Sequence, residues 1–135
     1  MVIDTDVYGA ALVPGSTLAA LYQPLLAGRP AFICFQTAAE LRYGAMLRRW
    51  GRARMLKLDA RISAAEVVHS GPDLITTYAQ LRVDCQRAGH ALAQREHDAD
   101  RWVAATAVRL GIPLVSHDRV FENAPGLTLE SAHRV

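Results

Sequence analysis

Short apolar runs recur along this chain, separated by segments of helical period, and no other feature constrains the fold more. Val2 to Asp6 opens apolar and ends in acids, and Ala31 to Phe35 is apolar throughout. Glu66 to His69, Leu114-Val115 and Leu127 to Glu130 are three further strand candidates. Pro14-Gly15-Ser16 is turn chemistry, and Ser16 or Thr17 is placed to cap a helix that runs through Leu26 and stops at Gly28. Ala38, Leu41 and Ala45 recur at helical spacing on a segment from Gln36 to about Arg49. Trp50-Gly51 breaks that pattern before an arginine-rich helix to Ile62. Asp73 to Arg87 sets Leu74, Tyr78 and Leu81 on one stripe. Beyond a polar connection from Gly89 to His97, the segment Asp98 to Leu110 buries Trp102, Val103, Thr106, Ala107 and Leu110. Gly111 is its C-cap, with Pro113 two residues on. Strands alternating with helices of these lengths predict an α/β fold of three layers, a central, mainly parallel sheet of four to five strands flanked by helices.

A chain of 135 residues fits a single domain over residues 1–135. It is long enough to fold around an apolar core without disulfides or structural metals. Half its residues are hydrophobic and a fifth are charged, a balance that excludes a disordered chain. Cys34 and Cys85 stand alone, with no paired Cys or His spacing, which favours a reducing compartment. No basic segment followed by a long apolar stretch opens the sequence, and the apolar runs are too short to span a bilayer. A cytoplasmic protein is expected.

The net charge of +2 conceals an uneven distribution. Of fifteen basic residues all but Lys57 are arginine, whose planar fork suits phosphate. Arg42, Arg48, Arg49, Arg52, Arg54, Lys57 and Arg61 fall within twenty positions that hold one acid, Asp59. That stretch is either a solvated helix face or a surface for nucleic acid or a partner.

The acids are more informative by position than by number. Asp4 and Asp6 end the first strand candidate and Asp118 a later one. Ligands of open parallel sheets bind beyond the carboxyl ends of the strands. Glu40 lies near the start of the helix after the second strand, and Asp100 near the start of the helix before the last core strand. All four of Asp4, Glu40, Asp100 and Asp118 can therefore share one crevice. Carboxylates so gathered raise one another's pKa unless a cation neutralises them. Magnesium, which prefers carboxylate oxygen and retained water, answers that need and activates phosphoryl chemistry. Each acid alone has a plainer explanation. Asp4 and Asp118 suit caps or turns, and Glu40, Asp98 and Asp100 suit first helical turns.

The same residues carry a family resemblance. Val2-Ile3-Asp4-Thr5-Asp6 resembles the opening strand of PIN domains, whose first aspartate is a metal ligand. Thr37 to Ala45, with Glu40-Leu41-Arg42-Tyr43-Gly44, is similar to the glutamate helix of VapC-like toxins. Asp100-Arg101-Trp102-Val103-Ala104-Ala105-Thr106-Ala107 and Gly111 to Asp118 resemble the third and fourth motifs. The match runs from Val2 to about Leu127 in the family's order. It implies a PIN-like fold and a metal site built from Asp4, Glu40, Asp100 and Asp118, with Thr5 and Ser116 supporting it. Asp6 stands where Asn or Ser is commoner, and Asp98 adds an acid; both are possible further ligands, Asp98 only if its helix begins after it.

The implied activity is magnesium-dependent hydrolysis of RNA phosphodiester bonds, with manganese able to substitute. A cognate VapB-like antitoxin and a homodimer are the implied partners. Setting the four acids aside leaves nine acids against fifteen bases, a net +6 that would draw a phosphate backbone toward the pocket's rim. Three alternatives stand beside this expectation. A PIN-like fold without a functional metal site would be an interaction module. A haloacid-dehalogenase-like phosphatase would use the Asp4-Thr5-Asp6 opening but needs a lysine near phosphate, and the only one is Lys57. Zinc on His97 and His117 lacks paired histidine spacing.

Overall fold

Each strand of this protein is two or three residues long, so the sheet owes its order to what packs on it. The computed structural model describes residues 1–134, and Val135, the last residue of the expected domain, lies outside them. The strands are β1 (Val2–Ile3), β2 (Phe32–Cys34), β3 (Glu66–Val68), β4 (Leu114–Val115) and β5 (Leu129–Glu130). They form one sheet in the order β3-β2-β1-β4-β5, every pairing parallel. Val2 lies opposite Phe32 on one side and Leu114 on the other, which puts β1 at the centre. Parallel neighbours need crossovers, and six helices supply and flank them: α1 (Thr5–Ala10), α2 (Thr17–Leu26), α3 (Phe35–Leu47), α4 (Arg52–Ala64), α5 (Pro72–Ala88) and α6 (Asp98–Leu110). The α/β expectation of a flanked sheet with up to five parallel strands is met.

Alternate residues of a strand point to opposite faces, and here both faces are covered. Val2, Cys34 and Leu114 pack with Leu74, Leu81 and Val103 from α5 and α6. Ile3, Ile33 and Val115 pack with Val7 and Tyr22 from α1 and α2. A third cluster of Ala45, Leu58 and Ile62 joins α3 to α4. This explains why β1, β2 and β4 read as unbroken apolar runs, whereas the edge strands β3 and β5 each carry a glutamate. Cys34 and Cys85 are both buried free thiols. No helix among the described residues is long and apolar enough to cross a membrane.

The first strand is shorter than the sequence suggests, because the chain turns helical at Thr5. Asp4 is the N-cap of α1, its carboxylate accepting from the Thr5 N–H at 2.8 Å. The Tyr8 N–H reaches back to the Asp4 carbonyl at 2.9 Å. An alternating acid and apolar pattern from Asp4 to Val7 mimics a strand, but capping by the same acids favours a helix. Asp6 therefore sits in a first helical turn and not at a strand end.

Tyr22 shows how the outer helices are tied to the sheet. Its fully buried hydroxyl donates to the Ser116 carbonyl at 3.1 Å and lies 3.2 Å from Ser131 Oγ. It also meets His117 Nδ1 at 2.8 Å and accepts from the Ala132 N–H at 3.0 Å. Tyr22→Phe keeps the ring and orphans those partners. It is expected to lower unfolding free energy by about 1–3 kcal/mol in denaturant titration. An unchanged midpoint would show that water replaces the hydroxyl.

Candidate metal centre

Asp4 leaves β1 at the centre of the sheet's carboxyl edge, and the residue is 5% exposed. One oxygen caps α1; the other accepts from the Ser116 hydroxyl at 2.7 Å. Ser116 follows β4, is fully buried, and its Oγ in turn accepts from the Asp118 N–H at 3.0 Å. A single serine thus joins the ends of two adjacent strands and sets the backbone of Asp118 beside Asp4. Asp118 uses one carboxylate oxygen to cap the short 3-10 turn Arg119–Phe121, through the Val120 N–H at 2.9 Å. The capping explanations for Asp4 and Asp118 hold, and they do not compete with a place at the pocket. The caps hold the carboxylates there.

Asp6 arrives by a different route. Its two oxygens accept from Val7 N–H at 2.7 Å and His117 N–H at 3.1 Å, so α1 is clamped to the segment after β4. Thr5 donates its hydroxyl to the fully buried Thr37 of α3 at 3.0 Å. Thr37 is one turn before Glu40, so this contact fixes how the glutamate helix meets the pocket. Glu40 lies close to Thr5 and Gln36, whose side chains oppose the rise of its pKa. Asp100 meets His97 Nδ1 at 2.9 Å, with the imidazole donating. Asp4, Thr5, Asp6, Glu40, Asp100 and Asp118 line one open pocket of about 290 Å³.

Asp98 does not join them. The helix α6 starts at Asp98 itself, so residues two apart point in widely different directions. Its exposed carboxylate accepts from the Tyr78 hydroxyl and from Arg101, the latter at 3.2 Å. The fate of Asp98 leads to a residue the sequence did not single out. Arg101 is 2% exposed and the largest fully buried side chain. Its guanidinium donates to the Leu92 and Gln94 carbonyls at 2.7 and 2.6 Å and, through Nε, to Tyr78 Oη at 3.3 Å. The arginine thus ties down the connection that leads into α6, and with it His97 and Asp100. Its spacing from Ala104 and Ala105, three and four residues on, is the signal that would have placed it on the buried face. Trp102 packs into the core, stacked on Tyr78 at 4.0 Å between centroids and edge-on to Phe35 at 5.4 Å.

The electrostatics follow from the crowding of acids, which His97 and Arg101 oppose at Asp100. Burial foremost, with the Asp6 charge adding and the Ser116 and Thr5 hydrogen bonds opposing, pushes the Asp4 pKa up from 3.8 to about 8. Burial likewise raises Asp6, against its backbone hydrogen bonds and with Asp118 adding. Glu40 and Asp100 are raised by burial first, each with a neighbouring acid contributing, Asp100 for Glu40 and Asp118 for Asp100. Among the described residues no arginine or lysine lines the pocket.

The donors are all hard oxygens, a set that suits magnesium or manganese and suits zinc poorly. Among the described residues no three acid, histidine or cysteine side chains converge closely enough to enclose an ion unaided. The residues fit an ion that keeps several of its waters, as magnesium does. Among the described residues His97 and His117 belong to no cluster that could hold zinc. His97 is engaged with Asp100, and His117 stacks on His133 at 3.9 Å and bonds Tyr22.

The PIN domain family profile matches residues 1–127, and the chain belongs to that family. No curated protein matches it. Among solved structures it resembles VapBC2 from Rickettsia felis bound to a DNA fragment from their promoter, with 21% identity and a TM-score of 0.77 over 96% of each chain. It is similarly close to FitAcB from Neisseria gonorrhoeae, at 21% identity and a TM-score of 0.77 over 99% of each chain. VapC20 of Mycobacterium tuberculosis, a sarcin–ricin loop cleaving toxin, aligns at 20% identity and a TM-score of 0.64, over 92% of this chain and 94% of that one. At these identities the shared property is the fold.

Two outcomes test the site's physics. A carboxyl whose pKa is raised on folding holds its proton more tightly folded than unfolded. The stability it confers is full below the unfolded value and is lost as pH rises through the folded one. In chelator, the protein's Tm is expected to fall between about pH 4 and about pH 8, and Asp4→Asn to flatten that decline. A Tm that climbs with pH would contradict the assignment. Arg101→Met leaves two carbonyls unpaired and is expected to cost at least about 2 kcal/mol in unfolding free energy. Hydrogen exchange should show the loss centred on residues 91–98.

Proposed function

We propose that this PIN-domain chain is a magnesium-dependent endoribonuclease, with manganese able to substitute, and the toxin of a VapBC-type toxin–antitoxin pair. The observation that carries the proposal is the pocket into which Asp4, Asp6, Glu40, Asp100 and Asp118 open with no basic residue among them. A folded protein keeps such a destabilising cluster where function requires it. A divalent ion bound there supplies positive charge to the phosphoryl oxygens and acidifies a water molecule. Around that ion the chain has distinct duties. Asp4, Glu40 and Asp118 would hold it, directly or through its retained waters, with Asp4 kept rigid by Ser116. Asp100, oriented by His97, completes the site, and Asp6 fixes the Asp118 segment through His117. Thr5 orients the glutamate helix through Thr37.

RNA as the substrate is supported by the basic remainder of the protein and by the resemblance to a sarcin–ricin loop cleaving toxin. A VapB-like antitoxin and a homodimer as partners are supported by the resemblance to VapBC complexes and by Tyr43, Met46 and Leu47 of α3, each more than 60% exposed. The phosphatase alternative is less well supported, since Lys57 is exposed on α4 and is not among the residues that line the acid pocket.

Titration calorimetry with magnesium or manganese, paired with gel analysis of RNA incubated with each ion, tests the proposal. Wild type is expected to bind the ion and cut RNA, and Asp4→Asn to lose both. Ser116→Ala, which frees Asp4 without removing it, should lose about tenfold or more in ion affinity. Ion binding without cleavage of any RNA would leave an interaction module.

A further inference from the structure

The arginine-rich stretch of residues 42–61 has no part in the acid pocket, yet it borders a groove that leads there. Two cavities of about 410 and 360 Å³ share Leu12, Trp50 and Leu58 in their walls and so adjoin one another, as two stretches of a trough between α1, α3 and α4. One end includes Thr5 and Glu40, which also line the acid pocket. The other end is walled by Arg54, Lys57 and Arg61. Arg48, the C-cap of α3, lines the same cavity as Glu40 from the far end of that helix, about 12 Å along its axis. Gly44 lies midway, and a Cβ there would come within 3.2 Å of the Arg48 guanidinium. The glycine, unfavourable inside a helix, leaves the trough open and the arginine lying along it.

The trough is also shaped at its midpoint. Arg49 adopts φ 53°, the left-handed conformation that glycine usually supplies, and the turn folds the Trp50 N–H onto the Ala45 carbonyl at 3.1 Å. This sets the indole at the junction of the two cavities. Arg54 lies over that indole at 4.0 Å from its centroid, presenting a planar cation backed by an aromatic ring. Among the described residues Arg48, Arg54, Lys57 and Arg61 form no ion pair with an acid, whereas Arg42 is neutralised by Asp59 at 2.7 Å. Four free cations spaced along one trough match a chain bearing a charge at every unit, and guanidinium planes on aromatic rings accept stacked bases.

We infer that this trough carries a single-stranded segment of RNA into the acid pocket, with Arg48, Arg54, Lys57 and Arg61 on its phosphates and the Trp50–Arg54 stack under a base. The inference rests on the ribonuclease reading for its purpose, but not for its test. A polypeptide segment is the competing occupant, since the floor of the trough is apolar. The spacing of unpaired cations along its length favours the polyanion.

The test is anisotropy of a labelled 2′-O-methyl oligoribonucleotide of about a dozen nucleotides with the full chain in EDTA, over a range of salt. Neither cleavage nor an ion is involved, so failure of the nuclease reading would leave this result untouched. Arg54→Glu/Lys57→Glu/Arg61→Glu is expected to bind at least about tenfold more weakly, with a log–log salt slope shallower by about 2. Arg82→Glu/Arg87→Glu/Arg109→Glu makes the same charge change on exposed positions of α5 and α6 and should stay near wild type. The Gln versions of the first three substitutions, which add no repulsion, should fall between, and circular dichroism confirms that each variant is folded. Equal loss in both Glu variants would reduce the effect to net charge and overturn the inference. Undiminished binding by the trough variant would also overturn it and leave the groove to a polypeptide.

Discussion

The buried carboxylate of Asp4 is the constraint around which the rest of the structure is arranged. It sits at the centre of the sheet's carboxyl edge with one oxygen capping α1 and the other held by Ser116. Ser116 also receives the Asp118 N–H, so a hydroxyl of one atom's reach binds the ends of β1 and β4 into a single unit. Neither strand is longer than two residues, and such short pairings need help at their ends. The hydrogen bonds stabilise the charged form of Asp4, but burial and neighbouring acids oppose it more strongly. The result is a rigid group in a destabilising field. A divalent cation would relieve that field, which is why stability and function point to the same place.

Rigidity on the other side of the pocket has a different source. Arg101 is buried without a buried acid to match it; its main partners are backbone carbonyls of the segment ahead of α6. An arginine so placed converts an irregular connection into a fixed one, because its planar donors must all be satisfied at once. Asp98, which as a sequence position competes with Asp100, is part of this anchor. The two aspartates divide the work: one secures the helix start on its outer side, the other faces the pocket.

The distribution of charge gives the molecule a polarity that the net value hides. Acids converge on one pocket, and the free cations of α3 and α4 line an approach to it. A polyanion would be attracted along the trough and repelled at its end, unless a metal ion reverses the sign there. The ion then governs both the chemistry and the last step of approach.

Much of this was legible along the chain because it is local. Apolar runs covered on both faces, helical stripes, Gly111 as a left-handed C-cap and acids at element ends depend on neighbours a few residues away. Asp4, Glu40, Asp100 and Asp118 could be placed at one edge, since parallel crossovers return such ends there, whereas Thr5 came from the family resemblance and Asp6 only as a possible addition. What the sequence could not convey were choices between near-equal local options. The Asp4 to Val7 stretch suits strand or helix, and the decision fell to Thr5 and Asp6 meeting Thr37 and His117, some thirty and more than a hundred positions away. The helical phase of α6 sent Asp98 outward and Arg101 inward, and which carbonyls Arg101 meets there is decided by the fold of residues 91–97. The trough exists only where three helices meet. Periodicity determines which residues are apolar neighbours, but contacts between distant elements have no period and emerge only when the chain is packed.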